Sequence, residues 1–196
     1  MLPSVADSWA QITAWLRDRT PVSAAHLGPP ATEHDIADVV ALLGRPLPAD
    51  LVEWWRRCCG VTEFVTGRLI APRYAPYTLD EVVDNRETML AVASCADAAD
   101  TAALAAEPAG SPCVDWLPVW LPIAHDGGGC LLFADLRPGS LHGCVMEWDE
   151  YEGATGEPRW PSIAAMLAEI AHALHHGTDI DGLRVEACDD GTLDWV

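Results

Sequence analysis

Residues 116–150 read WLPVWLPIAHDGGGCLLFADLRPGSLHGCVMEWDE, from Trp116 to Glu150, and their pattern decides the fold. Three apolar runs lie in this stretch, at Val119–Ala124, Cys130–Leu136 and Gly143–Trp148. Each has the length of a strand and is bounded by turn residues. The first break, His125-Asp126-Gly127-Gly128-Gly129, sets a carboxylate beside glycines that are free to take positive φ. The second, Arg137-Pro138-Gly139-Ser140, turns the chain by another route, since Pro fixes φ and Gly admits the bend. The stretch therefore predicts a three-stranded antiparallel meander at the centre of a mixed or antiparallel sheet.

Outward from the meander the periodicity becomes helical. Trp9, Ile12 and Leu16 share one helix face, with Thr20-Pro21 as the stop, which predicts a helix over about 8–19. After the linker Gly28-Pro29-Pro30, Thr32 and Asp35 have capping-box spacing ahead of Ile36, Val39, Val40 and Leu43, and Gly44 ends that helix. Leu47-Pro48-Ala49-Asp50 opens a third helix, Leu51 to Cys59, closed by Gly60. Val61–Ile70 reads as a strand or edge segment. Thr78 and Glu81 form a second capping box, leading a helix through Val82, Val83, Arg86, Met89 and Leu90. Residues 94–112 are Ala-rich and broken by Pro108, Gly110 and Pro112, the pattern of an insertion or mobile loop with room for a short helix.

Beyond the meander, Tyr151–Arg159 is a polar loop. Trp160-Pro161-Ser162 then caps a long helix whose face is Ile163, Met166, Leu167, Ile170, Ala171 and Leu174, stopped by Gly177. The tail, Leu183–Val196, alternates around Asp189-Asp190-Gly191 as a hairpin does. Helices packed on an antiparallel sheet make an α+β fold, and 196 residues suit a single domain spanning 1–196.

Charge narrows the partners. The formal net charge is −19, from 30 acidic and 11 basic residues, and every basic residue is Arg. Such a field repels phosphate backbones and anionic lipid and attracts basic proteins, so neither nucleic acid nor membrane is the expected partner. No apolar run approaches the ~20 residues of a membrane helix, and residues 1–20 lack the pattern of a signal peptide. The seven Cys are odd in number, show no C-x-x-C spacing and lie partly in apolar runs, as in a reduced, cytoplasmic protein.

Several segments, taken together, resemble the SUKH superfamily, the group that includes the Smi-one/Knr-four family. They are Leu47-Pro48-Ala49-Asp50-Leu51 with Trp54, Trp55 and Gly60; Leu121-Pro122-Ile123-Ala124-His125-Asp126-Gly127-Gly128-Gly129; Phe133-Ala134-Asp135-Leu136; Gly143-Cys144-Val145 with Trp148-Asp149; and the Ser162–Leu174 helix. In order they cover most of residues 30–176, leaving the N-terminal helix and C-terminal hairpin as additions. Cys59 stands where family members often carry Asn. The resemblance implies an α+β interaction fold without catalytic activity or cofactor. Bacterial members are similar to immunity proteins that neutralise a secreted toxin domain, often a nuclease; fungal members look like regulatory modules. Abundant Arg and Ala without Lys resembles the coding bias of a high-GC bacterium, which favours the first sense.

Candidate site residues follow from charge and aromatic placement. Asp135, Glu147, Asp149, Glu150 and Glu152 collect around the strand ends, with Trp148 and Tyr151 among them. An acidic rim with aromatic anchors suits a binder of a basic protein, because charge raises the on-rate and the rings hold. Asp126, beside its glycines, joins this partner-binding set, or else bonds its own backbone in the turn. Asp135 has a second reading too, fixing the turn before Pro138. Two enzyme readings compete: a Cys130/His125/Asp126 nucleophile arrangement, and a metal at His172, His175 and His176 completed by Cys188, Asp179 or Asp181. No thiol-enzyme signature surrounds Cys130, and the three His equally suit an exposed, polar helix end, so no catalytic residue, metal or cofactor is assigned.

Overall fold

A computed structural model describes residues 2–93 and 98–196 of the chain. The start of the Ala-rich segment, with Cys95, lies outside the described residues. The meander forms in the expected register. A four-stranded sheet runs in the order β1 (Ala75–Pro76), β2 (Trp120–His125), β3 (Leu131–Asp135) and β4 (Cys144–Trp148), with every pairing antiparallel. Pro122 sits inside β2 without a penalty because β1 pairs only with Ala124 and His125, and a register shift falls between Pro122 and Ala124. At that shift the Ile123 carbonyl turns outward and accepts from Tyr77 N at 2.9 Å.

β2 and β3 are buried on both faces, apart from half-exposed His125 at the strand end. The register puts Trp120, Phe133 and Trp148 on one face, where Trp116 packs on all three at 5.4–5.5 Å between ring centroids. The described residues form seven helices: α1 (Val5–Arg19), α2 (Pro21–Ala25), α3 (Glu33–Leu43), α4 (Ala49–Trp55), α5 (Leu79–Val92), α6 (Ala98–Ala106) and α7 (Ile163–His176). α1, α4 and α7 pack on one another, α7 reaches β4, and α5 packs on β2. Both capping boxes close as spaced, Thr32 with Asp35 and Thr78 with Glu81. Asp50 of α4 accepts from Ala164 N at 3.0 Å, so one helix's carboxylate satisfies the free N–H of another. A hairpin of β5 (Val185–Ala187) and β6 (Leu193–Trp195) closes on α2 through Leu193 N and Ser23 Oγ, 3.0 Å apart. Among the described residues no helix is long and apolar enough to cross a membrane.

Two expectations are corrected. The third helix ends at Trp55, not Cys59, because the backbone of Cys59 leaves to donate to Pro29 O at 2.9 Å while Gly28 donates to Gly60 O at 2.9 Å. Gly60 has φ 75°, and a Cβ there would lie 2.4 Å from Thr78 N, so the crossing admits only glycine. Residues 61–70 form no strand; only isolated bridges occur, at Val61 with Leu27 and at Ile70 with Tyr74.

Asp135 and Arg137 lie at the end of β3 with no side-chain exposure. The Asp135 carboxylate accepts from Arg137 N at 3.0 Å, from Arg137 Nη2 at 2.7 Å and from Gly110 N at 2.8 Å. The guanidinium also donates to Ser111 O and lies 5.3 Å above the Trp120 ring. Replacing Asp135 with Ala leaves a buried cation unpaired and should destabilise the fold by about 3–5 kcal/mol, read as a lowered midpoint of urea unfolding.

Candidate functional site

The segment that follows β4 is the acidic one, and its geometry begins with Asp149. The Asp149 carboxylate accepts from Tyr151 N at 2.8 Å and Glu152 N at 3.0 Å. Those two backbone bonds hold its carboxyl below the usual carboxylate range. The backbones of Asp149 and Gly153 bond each other in both directions, at 3.1 and 2.8 Å. Gly153 has φ 72°, and a Cβ there would lie 2.6 Å from Val114 Cα. A tight, braced turn results. At its tip Tyr151 is 89% exposed, an unusual position for so large a ring, and Val114 beside the turn is 66% exposed. The neighbouring Glu150 carboxylate raises the pKa of the Tyr151 hydroxyl.

An open recess of about 480 Å3 lies beneath the turn, lined by Glu147, Asp149, Tyr151, Glu152, Glu157 and Arg159 among others. Glu147, on β4, accepts from Tyr74 Oη at 2.5 Å and from Arg159 Nη1 at 2.7 Å. Arg159 also pairs with Asp181 and lies 5.0 Å from the Trp160 ring centroid. The cation in the recess is thus already matched by Glu147 and Asp181, and the carboxylates of Asp149, Glu152 and Glu157 give the surface its sign.

Four residues of the expected binding set, Glu147, Asp149, Tyr151 and Glu152, therefore meet in one recess. Glu150 is exposed but faces the other side of the turn, its carboxyl packed over Gly129. Asp126 is half-buried, and its Oδ1 accepts from Gly128 N at 2.7 Å and Cys130 N at 2.9 Å, the hairpin role. Two residues are buried. Asp135 is enclosed with Arg137 at the far end of β3, and Trp148 is buried in the cluster around Trp116. Sequence reasoning passed over Glu157 and Arg159 because Tyr151–Arg159 has no periodicity to show which side chains turn back toward β4. It also passed over Val114, whose neighbour Gly153 is distant in sequence.

On the other side of the turn, a cleft of about 390 Å3 opens between α5 and the end of the meander. His125 stands at its floor, stacked between Phe64 at 4.7 Å and Tyr77 at 4.5 Å. Burial pushes its pKa below 6.5. Burial foremost, then Asp126 and Asp149, pushes the Cys130 thiol up to about 12. The thiol lies 3.5 Å from Asp149 Oδ2, and among the described residues no hydrogen bond joins it to His125. A protonated thiol without a base is not a nucleophile. At the end of α7, the His172 and His176 rings lie 4.4 Å apart and His175 Nε2 meets Gln11 O at 3.2 Å. Among the described residues no three His, Cys, Asp or Glu side chains are grouped to hold a metal, so Cys188, Asp179 and Asp181 do not complete that cluster.

The SMI1 / KNR4 family (SUKH-1) matches residues 30–169, a span that includes the meander, the braced turn and the cleft. No curated protein matches the chain.

Two measurements check the chemistry of this region. Alkylation of Cys130 by iodoacetamide at about pH 8 should run at least ~100-fold slower than that of free cysteine; a fast reaction would contradict the buried, protonated thiol. The His125 ring should titrate with a midpoint below 6.5 by NMR. Since its folded value lies below the unfolded one, its contribution to stability is present above about pH 6.5 and is lost as the pH falls toward the folded value.

Proposed function

Because the chain belongs to the SMI1 / KNR4 family (SUKH-1), known for immunity-like and protein-interaction domains, we propose that it is a non-enzymatic cytoplasmic immunity protein that binds a basic, nuclease-like toxin domain. The family is not in general one of enzymes. The observation that carries the reading is the braced turn, which holds an exposed aromatic ring among carboxylates. Asp149 fixes the backbone, so Tyr151 and Glu152 are presented without a large ordering cost on binding. Tyrosine in such a setting supplies apolar area with a polar tip.

Mechanistically, the long-range field of −19 charges speeds encounter with a basic protein. Carboxylates of Glu152, Glu157 and the recess then take the place of substrate phosphates against the toxin's basic active-site groups. Bulk around Tyr151 and Val114 excludes the true substrate. No group on this chain has to react.

The test is capture of the partner from the native host's lysate at low and then high salt. Wild type should retain a basic protein in stoichiometric amount and release it as salt rises, while the Glu152→Arg, Glu157→Arg double variant should fail to retain it. For the isolated pair, Tyr151→Ala should weaken binding roughly tenfold, mainly through dissociation. Equal retention by the charge-reversed variant would sink the proposal.

A further inference from the structure

We infer that residues 63–66 form a strap over the first turn of the meander, held shut by Phe64 stacked on neutral His125 and released when His125 takes up a proton. This goes beyond the binding of a toxin and does not depend on it.

The strap has two firm ends and a ring that fastens its middle. At one end Thr62 N donates to His26 O at 2.8 Å, and His26 Nδ1 lies 3.0 Å from Thr62 Oγ1. At the other end Gly67 is buried, and a Cβ there would lie 2.6 Å from Glu63 O and 2.7 Å from Val61 Cβ. Between these ends, among the described residues, the hydrogen bonds stay local: Val65 N donates to Glu63 Oε1 at 3.4 Å and Gly67 N to Phe64 O at 3.2 Å. Glu63 and Val65 are exposed. The grip on the meander comes from Phe64. Its ring lies 4.7 Å from that of His125, which Tyr77 backs at 4.5 Å. A Cβ at residue 127 would sit 2.6 Å from Phe64 Cζ, so the ring fits because a glycine stands there. A segment held by local bonds and a stacked ring opens at far smaller cost than the whole fold.

The groups around His125 decide what a proton does. Glu81 of α5 and Asp126 of the turn attract it, and Glu150 lines the same cleft. The faces of Tyr77 and Phe64 also favour a cation. Against them stands burial, the largest influence, which holds the His125 pKa below 6.5. Arg68 opposes the proton as well, since its guanidinium already lies 4.7 Å from the Phe64 centroid. In the closed stack an imidazolium is therefore a second cation over one ring, and it lacks the water it would otherwise have. Lifting Phe64 returns that water. Because the closed form has the lower pKa, the open fraction is constant above about pH 6.5 and rises by up to about tenfold per pH unit as the pH falls toward the closed-form value. Opening bares the end of the cleft lined by His125 and Gly127.

The chain has two phenylalanines, and Phe133 is fully buried in the sheet. NMR of the full chain carrying ring-labelled phenylalanine, followed from about pH 7.5 to about pH 5, thus provides a reporter in Phe64 and an internal reference in Phe133. The Phe64 signal should broaden or move toward its unstacked position in step with the His125 titration, while Phe133 stays in place. His125→Tyr keeps a ring in the stack but has no proton to gain in this range, so it should abolish the response. Arg68→Gln removes the competing cation and should move the midpoint to higher pH; its side chain is partly exposed, so this variant remains informative if the first impairs folding. A Phe64 signal that stays fixed while His125 titrates would overturn the strap, and so would both rings moving together as the whole fold loosens. A response that survives in His125→Tyr would also overturn it and trace the effect to His26.

Discussion

The carboxylate of Asp135 and the guanidinium of Arg137 are enclosed together, and much of the molecule is arranged so that they can be. An ion pair taken out of water is tolerated only when nearly every donor and acceptor is used. Here the fixed groups come from far apart: Gly110 and Ser111 from the segment before the sheet, Arg137 N from the turn itself, and the Trp120 ring from the neighbouring strand. The pair therefore locks the end of β3 to the chain that enters β2. Once that end is locked, the other end of the meander is the one left open, with β4 running out toward the Asp149 turn. The surface on which function is proposed is in this sense the complement of the buried pair.

Both ends of the meander use the same device, an aspartate that accepts backbone N–H groups a few residues ahead of it. Asp135 does so in the dry interior, where the partner must be a cation. Asp149 does so at the surface, where water serves in place of one. The two carboxylates have the same chemistry, but only the second leaves neighbours such as Tyr151 and Glu152 facing solvent. Asp126 repeats the pattern at the first turn. The acidic character of the strand ends thus has two sources, turn construction and surface charge, and the two are interleaved along one short stretch.

How far the sequence could be read follows from where each partner lies along it. The meander, both capping boxes, the α7 stop at Gly177 and the terminal hairpin rest on residues within a few positions of one another, and all were legible. The end of α4 was not, since the acceptor for Cys59 N is Pro29 O, a group that no local pattern announces. At the site, Asp149, Tyr151 and Glu152 were legible because charge and aromatic character coincide there. Asp135 could not be separated from Glu147 by type; its burial depends on Arg137 and on Gly110, brought near only by folding.

The closure of the terminal hairpin on α2 bears on the order in which the chain assembles. Leu193 N meets Ser23 Oγ across a separation of 170 residues, whereas the strands of the meander find partners across short turns. The entropic cost of closing a loop rises with its length, so contacts of short range are secured first and the longest last. The meander is thus an early nucleus, and the hairpin is a latch that engages when the helices are already in place. The braced turn belongs to the early part, and the surface proposed to meet a partner is shaped before the two ends of the chain have met.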